Sequence, residues 1–147
     1  MKSIYFDVCA LSRPFDDQSF LRIRLETEAL NLILSKIKKG KYRLVVSPVH
    51  FKEIEGIPET YERIELQAIL EMLGEPVKAN LTKVRERAEE LVRLNFGIAD
   101  AAHVAFAEHA NAEFITCDDI LIKKCLNHKI SVWCGSPVSF CEKEGII

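Results

Sequence analysis

Four acids of this sequence stand where an apolar stretch gives way to polar residues, or where a helix is expected to open. They are Asp7 after "KSIYF", Glu53 in "SPVHFKEIEG", Asp100 in "GIADAAH" and Asp118 after "EFITC". Carboxylate oxygens suit hard divalent cations such as Mg2+ and Mn2+. Carboxylates gathered without a cation repel one another and are driven toward protonation. A cation among them can polarise a phosphodiester and generate a nucleophile from bound water. Hydrolysis of a nucleic-acid phosphate ester is therefore the chemistry to which an all-acid set points. Each acid alone has a plainer reading. Asp7 and either Asp118 or Asp119 can cap helices, Glu53 can be a solvated helix residue, and Asp100 can favour the positive end of its helix. The joint pattern carries more weight than any member.

For these acids to meet, separate segments must bring them to one edge. "KSIYFDV" reads as a β-strand with an acid where the apolar run ends. Residues 19–38 carry Phe20, Ile23, Leu30, Ile33, Leu34 and Ile37 on a helical stripe, which Lys38, Lys39 and Gly40 terminate. "YRLVVS" reads as a buried strand. Ser47 and Pro48 then have the order of a cap and a first-turn proline, opening a short helix to about Glu55. A second helical segment covers 59–73 and ends at Gly74. A charged helix covers roughly 80–94. Asn95-Phe96-Gly97 is a turn before a helix from Ile98 to about His109. "AEFITC" and "ISVWC" read as strands, with a helix over 119–127 between them and a turn or short helix in the tail. Strands alternating with helices indicate an α/β domain with a largely parallel sheet between helices. In such a sheet, ligands gather beyond the carboxyl ends of the strands.

Bulk properties fit this picture. The chain has 147 residues, which suits one domain with its own core. It is 48% apolar and 29% charged, as soluble globular proteins are. Net charge is −2, from 20 Lys and Arg against 22 Asp and Glu. That excludes a strongly basic nucleic-acid coat but leaves room for a local patch. Apolar runs are short and interrupted by charges, so no membrane span is expected. The start lacks the long apolar segment of a signal peptide, and a cytoplasmic location is expected. The five cysteines, Cys9, Cys117, Cys125, Cys134 and Cys141, form no C-x-x-C pair. Their odd number argues against a disulfide framework, and they read as reduced, mostly buried thiols.

In this order and spacing, "IYFDVC", "VVSPVHFKEIEG", "GIADAAHVAFAEHANAEF" and "ITCDD" resemble the PIN-domain family of metal-dependent ribonucleases, VapC-like toxins in particular. The resemblance covers nearly the whole chain. It implies a three-layer α/β/α PIN-like domain with a mainly parallel central sheet, spanning 1–147 with a helical insertion at about 59–94. It implies a Mg2+ or Mn2+ site built from Asp7, Glu53, Asp100 and Asp118, with Thr116 as a hydroxyl beside it and Asp119 as a neighbouring candidate. It also implies an RNA substrate, a homodimer and, for a toxin, a small antitoxin protein seated over the acidic cleft. The sequence departs from the family at one place. Its first acid is often followed by Thr and then Asn or Ser, whereas here Val8 and Cys9 follow Asp7. Ser12, one turn later, is a candidate to supply the missing hydroxyl.

Further candidates surround these acids. His103 lies three residues after Asp100, so the two share a helix face. It could bond a carboxylate or a phosphate, or pack against the sheet. His50 has the same spacing from Glu53. Arg13 could reach a scissile phosphate through two hydrogen bonds. Lys123 and Lys124 could form a phosphate-contacting rim. Phe15 and Tyr61 are the candidates for stacking on bases.

The leading expectation is a divalent-metal-dependent endoribonuclease. The alternative is a catalytically weak PIN-like module that binds RNA or protein, which the Val8-Cys9 departure favours. A phosphatase with an aspartate nucleophile would want a second Asp two residues after the first, where Cys9 stands.

Overall fold

The computed structural model describes residues 1–146. Strand β1 (Lys2–Phe6) leads into a one-turn helix α1 (Val8–Leu11) and a single 3-10 turn over Arg13–Phe15. The long helix α2 (Leu21–Lys38) follows, then β2 (Tyr42–Val46) and α3 (Pro48–Glu55). Next come α4 (Thr60–Leu73), β3 (Gly74–Pro76) and α5 (Leu81–Arg93). The chain continues with α6 (Ile98–His109), β4 (Glu113–Ile115), α7 (Asp119–Asn127), β5 (Cys134–Gly135) and α8 (Pro137–Glu144).

All four strand pairings are parallel, in the order β3-β2-β1-β4-β5. Alternation along each strand divides the core into two layers. Ile4, Phe6, Leu44, Val46 and Ile115 face one side, where α2, α4 and α8 cover them with Leu30, Ile33, Leu66, Leu70 and Phe140. Tyr5, Val45 and Phe114 face the other, against Val84 and Leu91 of α5, Val104 and Phe106 of α6, and Leu121 of α7. This is the expected three-layer α/β/α architecture with a mainly parallel sheet. Among the described residues no helix is long and apolar enough to cross a membrane.

Two elements differ from the sequence expectation. Gly74 does not merely end a helix; with Glu75 and Pro76 it forms β3, which pairs with Leu44–Val46 of β2. The stretch 59–94 therefore contributes a strand as well as two helices. Pro and Glu disfavour strands, and this one is tolerated because it is the sheet edge. In the run "ISVWC", only Cys134 joins the sheet, continued by Gly135. Lys129 takes a positive φ of 51°, and the Ser131 N–H donates to Glu108, so the preceding residues are drawn off the strand path.

Candidate functional site at the carboxyl edge of the sheet

Three strands deliver their next residues to the same edge. Asp7 follows β1, Ser47 follows β2, and Thr116-Cys117-Asp118 follow β4. Helices α3 and α6 pack together above that edge and bring Glu53 and Asp100. Asp100 sits in the first turn of α6, which runs back across the sheet toward β4.

Asp7 is buried, with 4% of its surface exposed. Its Oδ1 accepts from the Ala10 N–H at 3.0 Å, so it caps α1. Its Oδ2 accepts from the Thr116 hydroxyl at 2.5 Å. The Cys9 thiol stands 3.2 Å from both oxygens. Burial pushes the Asp7 carboxyl above its ordinary pKa, while these three donors pull the other way. The Ser12 hydroxyl is not among its partners; Ser12 ends α1 through its backbone N–H. The residue that supplies a side-chain donor from this turn is Cys9. Its thiol is pushed up to about 12, first by burial and then by repulsion from Asp7, so it remains an S–H donor.

Thr116 is fully buried and links two acids. It donates to Asp7 and accepts from the Asp118 N–H at 3.1 Å. Asp118 itself is exposed and caps α7, accepting from the N–H groups of Ile120 at 2.9 Å and Leu121 at 3.2 Å. Asp119 turns instead to Arg22 of α2, which holds both its oxygens at 2.8 Å.

Glu53 is bonded by Nε2 of His103, which holds its carboxyl below the ordinary range. His103 is buried, and its Nδ1 lies 2.6 Å from the Tyr5 hydroxyl. His50 is also buried and bonds the backbone at Phe6 and Ser47 rather than Glu53. Asp100 is half-buried and remains near the other acids. Its carboxyl is pushed up first by burial, then by repulsion from Asp118 and from Glu53.

Arg13 hydrogen-bonds none of these four acids. Its guanidinium holds Asp16 and the buried Glu26 of α2, each at 3.0 Å. Lys123 is exposed on α7 beside Asp119, and Lys124 donates to the Asn95 carbonyl at 2.7 Å. Phe15 and Tyr61 pack edge to face on each other, with ring centroids 6.1 Å apart. Sequence reasoning missed Tyr5, Cys9, Arg22 and Glu26, which hold the acids or the loops that carry them. Only Cys9 carried a signal, its place two residues after Asp7.

Oxygen donors of this kind suit Mg2+ or Mn2+ in chemistry. Their placement does not match that chemistry. Among the described residues, no three His, Cys, Asp or Glu side chains are grouped to hold a metal ion. Asp7 is enclosed by three internal donors, Glu53 is tied to His103, and Asp118 caps a helix.

The PIN domain family profile matches residues 4–126. In fold the chain is similar to FitAcB from Neisseria gonorrhoeae, with a TM-score of 0.54 at 15% identity, over 91% of this chain and 97% of that one. It is similar to FitAB bound to an IR36 DNA fragment, with a TM-score of 0.57 at 15% identity, over 92% and 95%. It is also similar to VapBC-1 from nontypeable Haemophilus influenzae, with a TM-score of 0.56 at 13% identity, over 93% and 98%. At such identities these structures speak for the fold alone. Among curated proteins none matches the chain.

Proposed function

The chain belongs to the PIN-domain family, and on that premise we propose that it is a catalytically weak PIN-like binding module, acting as one single-domain half of a toxin–antitoxin pair. The observation that carries this reading is the arrangement of the acids. They share an edge, yet among the described residues no three are grouped to hold a cation, and three are engaged by internal donors. An acidic edge without a cation repels RNA phosphates and attracts basic groups. A small protein partner with basic side chains, the antitoxin of the pair, fits it better than RNA does. Two copies of the chain would associate through the start of α2, where Leu21, Leu25 and the N-cap residue Phe20 are exposed. The five free cysteines agree with a reducing, cytoplasmic setting.

A second reading, a Mg2+- or Mn2+-dependent endoribonuclease, is favoured by the place of Asp100 in the first turn of α6 at the acidic edge. Burial first, then repulsion from Asp118 and Glu53, pushes its carboxyl up, and a divalent cation relieves such repulsion. The deciding experiment incubates labelled single-stranded RNA with the protein and Mg2+ or Mn2+, beside Asp7→Asn and Asp100→Asn variants. Uncut RNA in every arm is the outcome expected of the binding module. Cleavage by the natural protein that both variants lose would sink that reading and establish the nuclease.

A further inference from the structure

Tyr5 is the only strand β1 residue among the large buried side chains on the α5–α6 side of the sheet. It is fully buried, and its hydroxyl meets two side chains, Ser47 Oγ at 2.7 Å and His103 Nδ1 at 2.6 Å. Packing alone does not call for that hydroxyl. A phenylalanine would fill the same space without a polar group to satisfy.

With one hydrogen on the His103 ring, the hydrogens along this path have one consistent arrangement. A glutamate carboxylate can only accept, so in the bond between them Nε2 of His103 carries the hydrogen. Burial keeps the Tyr5 hydroxyl protonated, so it donates to the remaining nitrogen, Nδ1. Ser47 then donates to the Tyr5 oxygen. The direction runs from Ser47 through Tyr5 and His103 to Glu53. Ser47 and Glu53 both belong to the α3 region, so the path closes on one helix while passing through β1 and α6.

His50 lies beside this path but is held differently. It accepts at Nδ1 from the Ser47 N–H at 3.0 Å and donates from Nε2 to the Phe6 carbonyl at 2.5 Å. Its ring lies tilted against those of Tyr5 and His103, with centroids 4.4 and 5.0 Å away. None of its own bonds involves the Tyr5 hydroxyl.

We propose that Tyr5 and His103 are positioning residues for Glu53: the Tyr5 hydroxyl fixes which nitrogen of His103 bears hydrogen, and that N–H orients the Glu53 carboxylate at the acidic edge. The assignment rests on the reading above that this edge is the functional surface. It makes the edge a product of the core. One buried hydroxyl sets the direction of one half-buried acceptor, through a ring that is itself buried.

The test is nuclear magnetic resonance of the full chain, labelled with 15N in histidine and 13C in the glutamate carboxyl, comparing the natural protein with Tyr5→Phe. In the natural protein His103 shows a single tautomer with hydrogen on Nε2. In Tyr5→Phe it loses that exclusivity, the Glu53 carboxyl signal shifts, and His50 keeps its tautomer. An unchanged His103 and Glu53 overturns the proposal. So does a common change of both histidines, which marks a general loosening of the core. Should Tyr5→Phe not fold, uniform 3-fluorotyrosine strengthens the Tyr5 donor without emptying space; it must then shift His103 and Glu53 but not His50. The RNA assay decides the function of the edge separately. Uncut or cut RNA leaves these signals where they are, and their failure to move leaves the RNA result standing.

Discussion

Arg22 grips Asp119 with two hydrogen bonds of 2.8 Å and donates from the same guanidinium to the Cys117 carbonyl at 3.2 Å. It therefore holds the chain on both sides of Asp118. The pair is largely exposed, so it adds little to global stability. Its local contribution is larger in consequence, because among the described residues Arg22 makes the hydrogen bonds from α2 to this loop. Arg22→Ala is expected to leave the thermal midpoint nearly unchanged while the amides of residues 118–121 exchange with solvent several-fold faster. Unaltered exchange at those amides would show that the Thr116 and Asp118 caps hold the loop without Arg22.

Asp7 is buried, and burial raises its carboxyl pKa despite three donors. A raised folded-state pKa means that the ionised acid counts against the fold at pH 7. Asparagine matches its shape, can accept from the Ala10 N–H and can donate to the Thr116 oxygen. Asp7→Asn is expected to stabilise the protein by roughly 0.5–2 kcal/mol at pH 7, the common range for a single stabilising substitution. Urea unfolding measures it. A loss of stability would mean that the surroundings favour the charge more than burial opposes it.

Legibility in the sequence tracked how local each signal was. β1, β2 and β4 were readable because each is a short buried apolar run, and their ends located Asp7, Ser47 and Asp118. The strand at Gly74–Pro76 was hidden because it packs little and owes its existence to pairing with Val46. The run from Ile130 looked like a strand because apolar content cannot distinguish pairing from packing. The acids were visible as residues, but what holds them was not. The contacts between Tyr5 and His103 and between Arg22 and Asp119 span 98 and 97 residues, and no local pattern encodes them. Tyr5 in particular reads as one more core aromatic until its hydroxyl is seen between Ser47 and His103.

Gly74 tests the unexpected strand. A Cβ placed there would lie 2.5 Å from the Leu70 carbonyl oxygen and 2.5 Å from Cγ1 of Val46. The first contact is backbone and the second is core, so neither yields without moving β2 or the end of α4. Gly74→Ala is expected to cost about 1–3 kcal/mol, the usual range for overpacking. Denaturant titration should show a lower midpoint with an unchanged slope. A neutral effect would mean that β3 is readily detached from β2.

The opposite end of the sheet offers a pH test away from the acidic edge. Glu144 on α8 bonds Lys2 at 2.8 Å and Lys143 at 2.6 Å. Lys143 first and Lys2 next lower its pKa from 4.5 to about 2. A depressed folded-state pKa gives stability that is full above the unfolded value and lost as pH falls through the folded one. Stability of the natural protein should therefore drop between pH 4.5 and about 2 in part through this residue. Glu144→Gln removes the titrating group, so its stability should start lower at pH 7 and fall less steeply across that window. Urea midpoints at half-unit pH steps give both curves. Parallel curves would show that the lysines, mobile at the surface, screen Glu144 too weakly for its ionisation to matter to the fold.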